Sequence, residues 1–148
     1  MNKITIYTIG FTKKKAEYFF ETLCGAKVRR LIDIRLNNVS QLAGYAKRDD
    51  LKYFLGKICG IEYEHIPELA PTDDILDDYR KKKIDWNEYE KRFNALLEER
   101  KIEERYQRAL FDNAVLLCSE HEPDNCHRRL VAEYLRKKWD GIEIRHFT

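Results

Sequence analysis

Short β-forming runs alternate with amphipathic helical stretches along this chain, and that alternation restricts the fold more than any other feature of the sequence. Residues 3–9 (KITIYTI) are β-rich and close at Gly10. Thr12 then offers a cap for a helix whose apolar residues Ala16, Phe19, Phe20, Leu23 and Cys24 keep the i, i+3, i+4, i+7, i+8 spacing, with Gly25 as its stop. Residues 30–35 (RLIDIR) read as a short buried strand, followed by a loop to Lys47. A second helix begins near Asp49, with Leu51, Phe54, Leu55 and Ile58 on one face and Gly60 past its end. Residues 61–66 (IEYEHI) alternate as a strand does, and Pro67 ends the run. Residues 68–83 show no clear period. Asp85 and Glu88 form a D-x-x-E capping signature, opening a long helix that carries Trp86, Tyr89, Phe93, Leu96 and Leu97 inward. Its second half, residues 98–105, is almost all charge and is expected to be a solvated face. Residues 113–118 (NAVLLC) are the plainest strand. A polar turn leads from it into a helix with Leu130, Val131, Tyr134 and Leu135 aligned, and Asp140-Gly141 turns the chain into a last strand at residues 142–147.

Parallel neighbours need crossover connections, and helices between strands provide them. The expected fold is therefore α/β: a single three-layer domain over residues 1–148, with a mostly parallel sheet of about five strands and helices on both faces. The direction of the last strand is left open.

Composition narrows the function classes. The 148 residues are 43% hydrophobic and 36% charged, which suits a folded domain with a heavily charged surface and not a disordered chain. No apolar run approaches the roughly 20 residues of a membrane helix, and the N-terminus lacks a signal-peptide pattern, so a cytoplasmic location is expected. In that compartment the four cysteines are expected to be reduced thiols, with Cys24 and Cys59 packed in the core. The net charge of +2 is too balanced to mark a nucleic-acid binder by itself. Basic runs at residues 13–15 and 80–83 are read as solvated surface.

In an open parallel sheet, ligands gather outside the carboxyl ends of the strands, where helix N-termini also point. The residues just past each strand are therefore the candidates. They include Thr8, Gly10 and Thr12 after the first strand; Asp33, Arg35, Asn37, Asn38 and Ser40 after the second; His65 and Glu68 after the third. The fourth supplies the densest segment: Cys118, Ser119, Glu120 and His121, then Cys126, His127 and Arg128 as a helix opens. A thiol in a first helical turn beside an arginine is expected to have a lowered pKa. That makes Cys126 a candidate nucleophile, His127 its acid/base partner, Glu120 a further catalytic group and Arg128 an anion clamp. Arg35, Arg128, Thr8, Gly10, Thr12, Ser40 and Cys118 are the candidate substrate contacts. The competing account has Asp33 or the glutamates neutralising both arginines in a purely structural role. His65 is expected to be structural. Tyr45, Tyr53 and Tyr63 are expected to fill the core, although such residues can also stack on bases. The spacing C-x7-C-H matches no standard zinc ribbon or finger, so no metal ligand is assigned.

Thr8-Ile9-Gly10, Leu31-Ile32-Asp33-Ile34-Arg35 with Ser40, and Leu116-Leu117-Cys118-Ser119-Glu120…Pro123…Cys126-His127-Arg128-Arg129 resemble the family called domain of unknown function 488. Its motifs read T-I-G-H-S, D-V-R-x-x-P-x-S and L-C-x-E-x-x-P-x-x-C-H-R. The likeness runs nearly end to end, through Tyr63-Glu64-His65-Ile66-Pro67-Glu68-Leu69. Phe11-Thr12 stands here for His-Ser, and Asn38 for the proline, so no role of that histidine transfers. The resemblance implies an α/β fold and a site at these segments, and supplies no substrate.

Three readings follow. The leading one is an enzyme acting on an anionic, phosphate-bearing substrate, a nucleotide or nucleic acid among them, at the carboxyl edge of the sheet. The alternatives are a non-catalytic module binding nucleic acid or protein, and a metal-binding or redox protein using Cys118 and Cys126. Cofactor and oligomeric state do not follow from the sequence, and no membrane partner is expected.

Overall fold

The β-rich and apolar runs become five strands in a computed structural model of the chain, which describes residues 3–37, 44–119 and 125–148. In chain order these are β1 (Ile4–Gly10), β2 (Arg30–Asp33), β3 (Glu62–His65), β4 (Ala114–Cys118) and β5 (Ile142–His146). Their order in the sheet is β3-β2-β4-β1-β5, and every pair is parallel, the last strand included. The chain is an α/β domain with an all-parallel sheet. β4 and β2 are buried on both faces, as their continuous apolar runs require.

Side-chain alternation divides the strands between two helical layers. Ile9, Leu31, Val115 and Leu117 pack with α1 (Ala16–Gly25) and α2 (Arg48–Phe54) on one face. Ile4, Ile6, Ile32 and Leu116 pack on the other with α3 (Asp73–Arg80), α4 (Trp86–Arg100) and α6 (His127–Lys138). A short α5 (Ile102–Arg105) follows α4. Phe93 and Leu97 of α4 are fully buried, each contributing about 1.5–3 kcal/mol of apolar transfer.

Several local expectations give way. Thr12 does not cap α1: the helix starts at Ala16, and Thr12 instead gives its N–H and hydroxyl to the Ser119 carbonyl, tying the exit of β1 to that of β4. The second helix runs on as a π-helical turn, Leu55–Cys59, before Gly60 closes it in the left-handed region. The wider turn shifts the helical phase, so Leu51 and Leu55 stay buried while Ile58 is exposed. The charged stretch after residue 98 is not one helical face. Lys101 adopts φ 52°, α4 stops there, and Ile102 turns into the core. Within the first basic run, Lys14 is buried.

Cys24 and Cys59 are not reduced core thiols. They form a disulfide joining the end of α1 to the end of the π-helical turn, with Cα atoms 5.2 Å apart. The same apolar stripes that were expected to bury each cysteine separately bring the two helix ends together. No described helix is long and apolar enough to cross a membrane.

The topology decides where a crevice opens. From β2 the chain passes to β3 on one side; from its neighbour β4 it passes by α6 to β5 on the other. Connections diverging from adjacent strands leave a gap at their carboxyl ends, and ligands of parallel sheets bind in such gaps.

Candidate functional site

A cavity of about 460 Å³ lies at that divergence. Its walls come from the exit of β2 (Arg35, Leu36, Asn37), the exit of β4 (Cys118, Ser119), the start of α6 (Asn125, Cys126, His127), and the facing ends of α3 and α4. The volume falls within the range of small-molecule sites.

On the β2 side, Asp33 and Arg35 form a buried fork-to-fork pair. The Arg35 Nε and Nη2 donate to Asp33 Oδ1 and Oδ2, each at 2.8 Å, and the Arg35 backbone N–H also reaches Oδ1. Tyr63 gives its hydroxyl proton to Oδ2 at 2.6 Å. His65 Nε2 donates to the Arg35 carbonyl at 2.8 Å, which makes His65 a brace for the turn. Arg35 is 3% exposed, its guanidinium lies over the Phe11 ring, and its Nη1 has no hydrogen-bond partner among the described residues. Asp33 therefore neutralises much of the arginine, as the structural account expected, and leaves one donor over.

On the β4 side, His127 sits between the strand and the loop after β2. Its Nε2 donates to the Ile34 carbonyl at 2.6 Å, so Nδ1 carries the lone pair, and Nδ1 lies 3.3 Å from Cys118 Sγ. Phe93 meets the imidazole edge-on. Cys126 is the N-cap residue of α6, and the ligating atoms of Cys118, Cys126 and His127 lie within 4.8 Å of one another. All three side chains are buried.

The thiol expected to be exposed in the first turn of α6 is buried. Cys126 is 2% exposed, and burial, with Cys118 beside it, pushes its thiol pKa well above the ordinary value. Desolvation outweighs the nearby His127 and the helix terminus. The histidine's free lone pair faces Cys118, the residue first read as a substrate contact.

Arg128 leaves the cavity altogether. One residue further round α6 than His127, it turns toward β1 and β5, fully buried, donating from Nε to Thr8 Oγ1 and from Nη2 to the Phe147 carbonyl. Thr8 also bonds His146 Nδ1. Burial first, and the Arg128 charge second, lower the His146 pKa. Thr8, Gly10 and Thr12 thus belong to this neighbouring part of the edge, where Gly10 pairs in register with Cys118. The structure brings Arg35, Cys118, Cys126 and His127 around one cavity and leaves Arg128, Thr8, Gly10 and Thr12 outside it. Ser40 and Glu120, with Asn38 and His121, lie outside the described residues.

The far wall was not foreseen. Tyr79 and Arg80 of α3, with Trp86 and Tyr89 of α4, line the cavity beside Asp73 and Leu76. The Trp86 and Tyr89 rings stack at 4.7 Å, and Tyr79 lies 5.1 Å from Tyr89. Trp86 and Tyr89 keep their place on the core stripe and Arg80 its exposure, while all three also face the cavity. Tyr45 packs against Phe19 and Phe20 as expected of a core tyrosine, whereas Tyr53 is exposed.

No curated protein and no solved structure matches the chain. The model of the family described as "Domain of unknown function DUF488" matches residues 15–135, a span that holds β2, β4, the opening of α6 and every described residue of the cavity wall, and the chain belongs to that family.

Proposed function

We propose that the protein is an enzyme whose substrate occupies this cavity, that the substrate joins a planar group to an anion such as phosphate, and that the reaction is centred on Cys118, Cys126 and His127. One observation carries the reading: the thiol–imidazole pair of Cys118 and His127, held in orientation by the Ile34 carbonyl, borders the same cavity as Arg35, whose buried Nη1 has no hydrogen-bond partner among the described residues. A sulfur beside a basic nitrogen whose tautomer is fixed is an arrangement that chemistry uses and packing does not require. Tyr79, Trp86 and Tyr89 offer an aromatic wall for a planar group such as a nucleobase. Arg35 and Arg80 are the donors for the anion, with Asp73 as the opposing charge. Because Nη1 is shielded from solvent, an anion reaches it only by displacing what covers it, so binding and a local movement are coupled.

Asp33 cancels much of the Arg35 charge, so affinity would come from directed hydrogen bonds more than from a positive field. That separates this reading from a nucleic-acid binding module. Wild type titrated with inorganic phosphate, mononucleotides and short oligonucleotides should favour the mononucleotide, with a shallow salt dependence, because a mononucleotide has no condensed counterion atmosphere to release. Arg80→Ala should weaken binding without lowering the melting temperature, and Trp86→Ala should weaken it with some loss of stability from the broken stacking on Tyr79 and Tyr89. A steep salt slope with preference for the oligonucleotide would move the protein to the binding-module class. No detectable binding by the wild type would end the anion reading.

A further inference from the structure

We infer that Cys118, Cys126 and His127 form a metal centre, three ligands of a four-coordinate Zn²⁺ whose remaining position opens into the cavity. The inference rests on the same cavity as the proposed function and names the chemistry of its reactive corner.

The sequence spacing pointed away from metal because it was compared with ribbons and fingers, which take their ligands from paired short loops. Here the ligands come from two rigid elements: Cys118 ends β4, and Cys126 and His127 open α6. Seven residues separate the cysteines along the chain, yet the folded edge brings their sulfurs together.

The distances suit a tetrahedral ion. Zinc–sulfur bonds of about 2.3 Å and zinc–nitrogen bonds of about 2.0–2.1 Å put neighbouring ligand atoms roughly 3.5–3.8 Å apart. Cys118 Sγ and His127 Nδ1 are 3.3 Å apart, and all three ligand atoms fall within 4.8 Å. The Cys118–His127 pair needs to change by only a few tenths of an ångström, and the widest pair by no more than about 1 Å.

The imidazole is already prepared. A ligating histidine donates its second ring N–H to a carbonyl or carboxylate, which fixes the ring and makes the other nitrogen a better donor. His127 does this with the Ile34 carbonyl, leaving the Nδ1 lone pair directed at the cluster. Phe93 and the buried Tyr89 give the site an apolar flank.

Two thiolates and one imidazole are a donor set for Zn²⁺ and not for Mg²⁺ or Ca²⁺, which take oxygen ligands. Among the described residues the ion has three protein ligands and one place open, the arrangement of catalytic zinc, whereas structural zinc is closed by four. All three residues line the cavity, so a water or a substrate oxygen would fill the fourth place. Two thiolates balance the ion's charge, and binding to the protonated cluster releases about two protons.

The test uses the full-length protein, stripped of metal, with Zn²⁺ or Co²⁺ alone as the probe. Cys24 and Cys59 are joined in a disulfide, so under non-reducing conditions a thiol reagent reads only Cys118 and Cys126. One Zn²⁺ per chain should bind, raise the melting temperature, release protons and protect both thiols. Co²⁺ should give thiolate-to-metal charge-transfer absorption and the intense visible bands of a tetrahedral ion. Cys118→Ser and Cys126→Ser should each weaken Zn²⁺ binding by more than the roughly 10–100-fold that losing an outer-sphere partner costs. His127→Ala is the third variant, read by the same cobalt spectrum if either serine variant fails to fold. Absence of the charge-transfer band, or binding that survives Cys118→Ser/Cys126→Ser, would overturn the metal centre. None of these readouts uses an anion. Failure of the nucleotide titration with intact zinc binding would refute the substrate assignment alone, and the reverse result would leave a thiol–imidazole pair acting without metal.

Discussion

The Asp33–Arg35 pair is the strongest single constraint on the cavity wall, and its removal should be expensive. Asp33 is fully buried and Arg35 nearly so, and three hydrogen bonds join the two residues. In Asp33→Asn the shape is kept and the negative charge is lost. Arg35 then remains as a buried cation facing a neutral amide. Breaking one partner of a buried pair costs about 3–5 kcal/mol, mostly the desolvation of the charge left behind. In a domain of this size each kcal/mol moves the melting midpoint by roughly 2–4 °C, so the expected fall is roughly 6–20 °C. Arg35→Lys should fall in the same direction, because one ammonium cannot fill both fork positions. Replacing both residues by apolar ones, as in Asp33→Leu/Arg35→Met, should recover most of the stability, since the cost lies in the orphaned charge. It should also abolish anion binding.

The assay is thermal unfolding followed by circular dichroism, beside nucleotide titration of each variant. The exposed pair Arg92–Glu88 serves as the control, and Arg92→Ala should leave the midpoint where it is. If Asp33→Asn melts with the wild type, the pair is not buried as described. If Asp33→Leu/Arg35→Met is no more stable than Asp33→Asn, the orphan-charge argument fails.

The disulfide closes a sequence separation of 35 residues, and constraining the unfolded chain over such a loop is worth about 3–4 kcal/mol. Reduction, or Cys24→Ser, should therefore lower the midpoint by roughly 6–16 °C, and intact mass under non-reducing conditions should be lower by two hydrogens. His146 has a folded-state pKa below its ordinary 6.5, so the unfolded chain takes up the proton first. Its contribution is fully present above that value and is lost as pH falls from there toward the folded-state pKa; urea unfolding of His146→Gln should lack this part of the acid limb. Alkylation of the metal-free native protein should be slow at both Cys118 and Cys126, with fast labelling of Cys126 contradicting its burial.

The architecture was legible because it is written in features that repeat. Period-2 runs, 3.6-period stripes and their alternation each recur several times, and they agree on a parallel sheet. What misled was local and single. Thr12 has the chemistry of a cap, but the Ser119 carbonyl, far away in sequence, took both its donors. Ile58 keeps its helical period until a π-helical turn shifts the phase. Lys101 interrupts a stretch that looks like continuous helix. Cys24 and Cys59 each satisfied an apolar stripe, and nothing in either stripe says that the two meet.

The site was half legible for a related reason. The rule that parallel sheets bind at their carboxyl ends finds Arg35, Cys118, Cys126 and His127 without any motif, because sequence position relative to a strand fixes which edge a residue joins. Direction around that edge is a different quantity. His127 and Arg128 are adjacent in sequence, yet about 100° of helical rotation sends one into the cavity and the other beneath β1 and β5. The same blindness hid the burial of Cys126. A helix terminus and an arginine argue for an activated Cys126 when solvation is left out, and solvation is what a linear motif cannot show. Tyr79, Arg80, Trp86 and Tyr89 escaped because they approach the edge from helices that cross it, not from the loops that leave it. Residues supplied by strand ends can be found by counting from the strand. Residues supplied by crossing helices need the sheet order, which here turns on β4 inserting between β2 and β1, the arrangement that makes the connections of β2 and β4 diverge.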